Sequence, residues 1–439
     1  MRRTALFLCT IIFIISGSNS AFAEQILTLD DCLEYGLRNN PVLKAAEFRV
    51  DSATQNIKSF RADFLPSVSS SYSVSTIASD NSKVPIETDY LDQDARNFSV
   101  RLSQVLYAGS RVYNAFAKAK TEEQIYLANK ELARLELVYN IEITFFRLMK
   151  TKQDVGAAID TVKRLKEGVK SANAFLQKQL VPYVDVLQAK VDLADAEQQM
   201  SMAKNNVNRI RVALFSLMNM PLSEETSFTG GTDYYSSKYQ TTYEACSKKA
   251  LKNRPDLDSL KNQIVMYKKE ASISMGTYLP VIKFDIGYYD QTRNYDEPGT
   301  ATFTGTYDRD QRNRYWSAGV YATWDLFDGG RAWFTREKYN VEIKRIKELI
   351  KDAENIITTG IRKALFSLSE AEQRIGSTSD AVTAAKEYYK REDKRLKAGV
   401  GTIPALLDAQ ARLTRAQGNY TQALLDYQLA RAELKLMMG

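Results

Sequence analysis

Histidine is absent from all 439 residues. Its absence removes the commonest general base near neutral pH and the commonest metal ligand. Cysteine is scarce: Cys9, Cys32 and Cys246 are all there are. None stands in a Cys-x-x-Cys pair, so neither a thiolate zinc site nor a dithiol redox motif is offered. No P-loop spacing appears. A carboxylate hydrolase stays formally open, but no pair of acids stands apart from ordinary helix charge. Long apolar runs are also missing. Beyond Glu24 no stretch has 18 uncharged apolar residues, which excludes a transmembrane helix and leaves strands as the only way into a membrane.

What is present begins with a signal peptide, expected over residues 1–23. Arg2 and Arg3 precede an apolar run over residues 5–15, and Ala21-Phe22-Ala23 has the small-x-small form of a cleavage site. The run is too short to span a bilayer, which needs about 20 residues. Cys9 lacks the small residues that a lipoprotein cleavage box would place before it. The whole chain carries a formal charge of +7, and removal of the two arginines leaves about +5, which makes no case for nucleic acid.

The rest of the chain is written twice. "LDDCLEYGLRNNPVL" (29–43) returns as "YEACSKKALKNRPDL" (243–257), 214 positions later. "QVLYAGSR" (104–111) returns as "WDLFDGGR" (324–331) at an offset of 220. That second offset continues through "VPYVDVLQAKVDLADAEQ" against "GTIPALLDAQARLTRAQ", and "LFSLMN" (214–219) answers "LKLMMG" at the C-terminus. The six added residues fall between two strand-like segments, where an exposed loop tolerates them.

Each copy changes period. In the first, Val68, Ser70, Tyr72 and Val74 alternate with Ser67, Ser69, Ser71 and Ser73. Further on, Phe98, Val100, Leu102 and Leu106 alternate with Asn97, Ser99, Arg101 and Ser103. In the second, Ile282, Phe284, Ile286 and Tyr288 alternate with Lys283, Asp285 and Gly287. Trp316, Val320, Trp324 and Leu326 then alternate with Ser317, Gly319, Thr323 and Asp325. Period two over about ten residues is a strand of membrane-spanning length. A water-facing sheet on a soluble core alternates too. The aromatic ends of the apolar face (Tyr107, Trp316, Trp324, Phe327) and the small polar opposite face favour a barrel wall with a wet lumen. Four strands cannot close a barrel of at least about eight, so several chains must share one.

Between and after the strands the period is three to four. From Gly109 to Gln179 there is no proline, and Val138, Ile141, Phe145, Leu148, Val155, Ile159, Val162 and Val169 mark a stripe. Ile346, Leu349, Ala353, Ile357, Ile361, Ala364, Leu368, Ala371 and Ile375 repeat it. The pattern is of the coiled-coil kind, and about 70 residues at about 1.5 Å each make a helix of about 105 Å.

With these features the chain resembles the TolC-like outer-membrane efflux proteins. "LTLDDCLEYGLRNNPVLKAAE" resembles their opening, "QVLYAGSR" and "WDLFDGGR" their strand-to-helix junctions, and "RLKAGVGTIPALLDAQ" their helix-turn-helix tip. The resemblance covers essentially the whole mature sequence. It implies an α+β membrane protein, internally duplicated, with a long coiled-coil α-helical barrel. Four antiparallel strands per chain would enter a shared 12-stranded β-barrel of a homotrimer. It also implies a function: the exit duct of a tripartite efflux or type I secretion machine, with a periplasmic adaptor and an inner-membrane transporter as partners, set in outer-membrane lipid. No cofactor and no catalysis are implied. The alternative is a non-channel periplasmic or surface coiled-coil structural protein.

On this reading residues 24–220 form the first repeat, with strands about 67–77 and 97–107 and helices about 41–64, 109–179 and 184–218. Residues 221–242 connect the copies. Residues 243–439 form the second, with strands about 281–290 and 315–327 and helices about 255–278, 329–398 and 404–438.

The resemblance assigns the turns Leu180, Val181, Pro182 and Gly399, Val400, Gly401, Thr402 to adaptor contact. It places Asp408, with Asp185 near it, at the acidic constriction that closes the tunnel. Position by position, copy one has Asp185 and Gln188 where copy two has Ala405 and Asp408, fewer acids than members with two in the second tip. A simpler alternative is that each carboxylate only favours the positive first turn of its helix, worth about 0.3–1 kcal/mol. Cys32 and Cys246 occupy equivalent positions, set apart around a ring of repeats, so two buried free thiols are expected rather than a disulfide.

Overall fold

Prolines and capping side chains, one before each helix-forming stretch, set the first elements. The computed structural model describes residues 26–79, 91–222, 226–230, 241–295, 299–301, 305–307 and 311–439. The expected signal peptide and part of the expected connector lie outside these residues.

After a two-residue strand β1 (Ile26–Leu27), Thr28 and Asp31 exchange hydrogen bonds at 2.8 and 3.3 Å and start α1 (Leu29–Asn39), a reciprocal cap. Asn40 then accepts the N–H groups of Val42 and Leu43 at 2.8 and 3.2 Å, and Pro41 opens α2 (Pro41–Ala62). Strands β2 (Ser67–Ser79) and β3 (Leu91–Ala108) follow, then α3 (Arg111–Gln177) and α4 (Tyr183–Met218). A short strand β4 (Ser227–Phe228) pairs in parallel with β1.

The second copy repeats the order with α5 (Tyr243–Asn253), α6 (Pro255–Met275) and a one-turn 3-10 helix. Strand β5 (Val281–Tyr295), the small strands β6 (Gly299–Ala301) and β7 (Gly305–Tyr307), and β8 (Gln311–Thr323) come next. Helices α7 (Arg331–Lys397) and α8 (Ile403–Met438) close the chain. Both long helices have 67 residues and both return helices 36. At about 1.5 Å per residue the long ones reach about 100 Å.

The duplication persists in the backbone. Left-handed φ angles occur at Gly109 and Gly329, Ser110 and Gly330, Gln179 and Gly399, and Asn219 and Gly439, each pair 220 positions apart.

The four long strands form one antiparallel sheet in the order β2-β3-β5-β8. One face carries Val68, Leu102, Ile286 and Ala318 in one row and Val100, Tyr288 and Trp316 in another; the other carries Arg101, Gly287 and Ser317. The strands run 13, 18, 15 and 13 residues, more than a bilayer needs.

Two details differ from the expected alternation. A bulge between Val105 and Tyr107 leaves Leu106 unpaired, so Tyr107, not Leu106, stands opposite Ile282 on the apolar face. An extra residue in one strand reverses the parity beyond it. In addition, β8 starts earlier, at Gln311, and ends before Trp324. The Trp324 indole N–H instead donates to the Tyr278 carbonyl at 2.9 Å.

By packing, the chain divides into two units that each draw on both copies. One comprises the described parts of residues 1–39, 140–239 and 371–429. Its core includes Cys32, Ile141, Phe145, Leu148, Leu214, Phe215 and Met218. The other comprises residues 40–139, 240–370 and 430–439, with Leu257, Ile346, Ile357, Ile361, Ala364 and Leu434 buried. Leu349 and Ile159, both on the expected stripes, are exposed in the single chain. Cys32 and Cys246 are free and buried.

Candidate functional site

In the unit holding residues 140–239 and 371–429, helices α3 and α7 end in the same motif. Gln179 donates to the Leu176 carbonyl at 2.8 Å and Leu180 to Phe175 at 2.9 Å; Gly399 donates to Leu396 at 3.0 Å and Val400 to Arg395 at 3.1 Å. These paired bonds satisfy the last carbonyls of each helix and require a left-handed residue at the turn. Gln179 supplies it with φ 60° and Gly399 with φ 77°.

Gly401 has a different reason to be glycine. A Cβ there would lie 2.8 Å from the Leu396 nitrogen and 3.0 Å from the Arg395 carbonyl carbon, so the chain could not fold back so tightly. Thr402 then caps α8, its hydroxyl oxygen accepting the Ala405 N–H at 3.4 Å. Its counterpart Pro182 precedes α4 with extended backbone and no side-chain bond.

The two tips share one small core: Ala172, Val186, Ala189, Leu396, Ile403 and Leu406, with Val181 packed against it. Around that core Leu180 and Val400 stand out at 64% and 70% exposure. Pro182, Gly399 and Thr402 are exposed, and Gly401 is half-buried. The structure thus brings the seven expected turn residues to the tips of two hairpins that pack together.

The acids divide. Asp185 lies in the first turn of α4 and is half-buried, where a carboxylate favours the helix dipole. Asp408 lies beyond the first turn of α8, and its carboxylate binds the Arg412 Nε at 2.8 Å. That partner holds the Arg412 guanidinium above its ordinary pKa through the hydrogen bond and then the charge. At the equivalent step of copy one, Gln188 donates to Asp192 at 2.9 Å. Both copies therefore carry a polar pair at i and i+4, with the acid second in one and first in the other. Arg412 and Asp192 were missed in the sequence, although their spacing was there to be read.

A second cluster was also missed. Arg164 on α3 donates through Nε to Gln410 on α8 at 2.6 Å and through Nη2 to Thr161 at 3.3 Å, while Gln410 donates to Thr414 at 3.0 Å. Gln410 is 4% exposed. The guanidinium also lies over the Tyr389 ring of α7, 5.7 Å from its centroid. A buried polar knot of this kind ties α3 to α8. Beside it an open groove of about 1020 Å³ is lined by residues of α3, α4 and α8, including Asp192, Asp195, Arg209 and Arg415.

Comparison with known proteins names the family to which this duplicated architecture belongs. Residues 34–220 and 246–439 match the family described as outer membrane efflux protein. The chain belongs to the outer membrane efflux protein family. The match breaks between the copies, where the connector lies.

The alkaline protease secretion protein AprF of Pseudomonas aeruginosa is 21% identical over 434 residues, covering 97% of this chain and 87% of that protein. The outer membrane protein TolC of Vibrio cholerae serotype O1 is 21% identical over 437 residues, covering 96% and 92%. Among solved structures, the Campylobacter jejuni CmeC outer membrane channel superposes with a TM-score of 0.78 at 16% identity, covering 94% of this chain and 85% of that one. The fold is TolC-like, and this family member is an outer-membrane channel protein with a long helical periplasmic part. The family is one of channel proteins, and the coiled-coil stalk reading is set aside.

Proposed function

We propose that three copies of this chain form one duct, which receives its cargo from an inner-membrane transporter through a periplasmic adaptor and releases it outside the cell. The observation that carries the assembly is the sheet: β2 and β8 are its edges, and within a bilayer an open edge leaves backbone groups without partners at several kcal/mol each. Edge must meet edge in another copy. Three copies of four strands give a 12-stranded wall, the number that the resemblance implies. Exposed Leu349, Ile356 and Phe366 on α7 and Phe48 on α2 would be covered by the neighbouring copies. On this reading the helical segments of both repeats line a continuous periplasmic tunnel, and the energy for transport comes from the transporter, with no catalysis by this chain.

The tips carry two roles. Leu180, Val181, Pro182, Gly399, Val400, Gly401 and Thr402 present the contact for the adaptor, with Leu180 and Val400 the exposed apolar side chains. Asp408, with Asp185 near it, forms the constriction. Each Asp408 brings its own counter-ion in Arg412, so the ring repels itself less than three bare carboxylates would. The knot at Arg164 and Gln410 ties α3 to α8 within each chain.

Cysteine pairs across the open edges test the assembly. Single cysteines at Ser69 or Ser71 on β2, combined with one at Ser317 on β8, should oxidise between chains and give a ladder ending at three. A chain that stays monomeric, or a ladder that continues past three, contradicts it. Planar-bilayer currents of Asp408→Asn test the constriction. Cation selectivity should fall, and unchanged selectivity and conductance remove the role.

A further inference from the structure

The outward face of the sheet carries charge at a place the duct does not use. On that face Tyr288 and Trp316 form a row with ring centroids 5.2 Å apart, following rows with Ile286 and Phe284. The next row holds Phe98, Asp290 and Arg314, and the one beyond it Val74, Arg96, Thr292 and Arg312. Asp290 accepts from Arg312 Nε at 3.1 Å and Nη2 at 2.8 Å, and from Arg314 Nε at 3.2 Å. The arginine side chains are 57% and 52% exposed, and that of Asp290 only 18%. One recessed carboxylate thus orients two guanidinium groups and offsets the charge of one. Arg96 adds a third base on this face, and Asp94, which accepts from Thr76 at 2.6 Å, a second acid.

The level is set by the strand. At about 3.3 Å per residue, Arg314 lies about 7 Å and Arg312 about 13 Å past Trp316. Trp316 is 72% exposed on an apolar face, as an interfacial aromatic should be. The headgroup layer beyond the hydrocarbon is about 5–7 Å deep on each side, so with the strands tilted by about 40° the Arg314 backbone falls in it and that of Arg312 a few ångströms beyond, with the Asp290 contact drawing its guanidinium back toward Arg314. The end concerned is the one remote from the helices, since β2 leaves α2 at Ser67 and β8 runs toward α7 from Thr323. That end meets the outer leaflet, which in a bacterial outer membrane is made of phosphorylated saccharolipid.

We propose that Arg312 and Arg314, aligned by Asp290 and joined by Arg96, bind the phosphate groups of the outer-leaflet saccharolipid. The inference rests on reading the sheet as part of the wall of an outer-membrane barrel. A guanidinium fork matches phosphate oxygens in a way that lysine does not, and these two forks stand where such oxygens occur. A rim of arginines facing only water would show no preference among lipids.

Native mass spectrometry of the full detergent-purified chain tests it, with bis-phosphorylated lipid A and its dephosphorylated form as probes. The wild type should retain the phosphorylated lipid about tenfold better, and Arg312→Gln/Arg314→Gln should lose that preference. Equal retention of both lipids by the wild type, or an unchanged preference in the variant, overturns the proposal. If the double variant does not assemble, Arg314→Gln alone, which leaves the two-point Arg312–Asp290 contact in place, decides by the same ratio. Failure of the barrel reading looks different: the wild type itself would give neither a trimer nor bilayer current.

Discussion

Exchanging the turn residues of the two tips probes the tip geometry at two exposed positions. Gln179 sits at φ 60°, a conformation that costs an L-residue about 1–2 kcal/mol relative to the right-handed region. Gly399 holds the same place in the other tip at φ 77°, and a Cβ there would meet nothing within 4 Å. Gln179→Gly should therefore relieve strain and Gly399→Gln should introduce it, with no steric term in the second. Taking about 1 kcal/mol for each, the local opening equilibrium shifts about fivefold, in opposite directions.

Hydrogen exchange of the tip peptides reads this directly. Exchange over residues 172–190 should slow about fivefold in Gln179→Gly, and exchange over residues 392–410 should quicken about fivefold in Gly399→Gln. Gly401→Ala should be worse than Gly399→Ala despite its ordinary φ, because its Cβ would meet backbone atoms at 2.8 and 3.0 Å; overpacking of that kind costs about 1–3 kcal/mol. Exchange that is unchanged in both swaps, or changed in the same direction, would refute the assignment of matched left-handed turns.

Three further outcomes follow from other sites. Burial alone would raise the Asp256 carboxyl, but the hydrogen bond and charge of Arg254 and the Leu257 N–H outweigh it and hold the group below its ordinary 3.8. Its contribution to stability is therefore present above about pH 4 and lost as acidification passes through the folded value, so protection of residues 253–258 should fall in acid and Arg254→Ala should flatten that dependence. Burial, and then the charge of Asp31, pushes the Cys32 thiol up to about 12. A maleimide should accordingly leave both Cys32 and Cys246 unlabelled in the native protein and react with both after denaturation, and fast native labelling would contradict their burial. Gln410→Leu would leave the Arg164 Nε without its acceptor at a cost of about 1–3 kcal/mol, seen as faster exchange along the first turns of α8; no change there would mean the knot does not tie α3 to α8.

Much of this was legible in the residues because period is a local property. Strict alternation from Val68 to Val74 and from Ile282 to Tyr288 could only be strand, and the glycines of "QVLYAGSR" and "WDLFDGGR" stood where the period changed. Bulges are less visible. Tyr107 is read on the apolar face from the sequence, but nothing in "SQVLYA" announces that Leu106 drops out of the ladder to put it there, because the deciding partner, Ile282, is far along the chain.

The tips show the same contrast. Gly399 advertised its turn, whereas Gln179 adopts the same conformation behind an ordinary side chain, held there by helix-end hydrogen bonds. Asp408 is placed by the resemblance alone, and its partner Arg412 is one turn on around the helix. The knot at Arg164, Thr161 and Gln410 brings together residues some 250 positions apart, and no local pattern marks it.

Single-channel recording in planar bilayers tests the central claim most directly. The purified full chain, inserted from detergent, should give discrete and uniform current steps, each insertion corresponding to one trimer by crosslinking. Protein that extracts without detergent, remains monomeric and gives no steps would contradict the account.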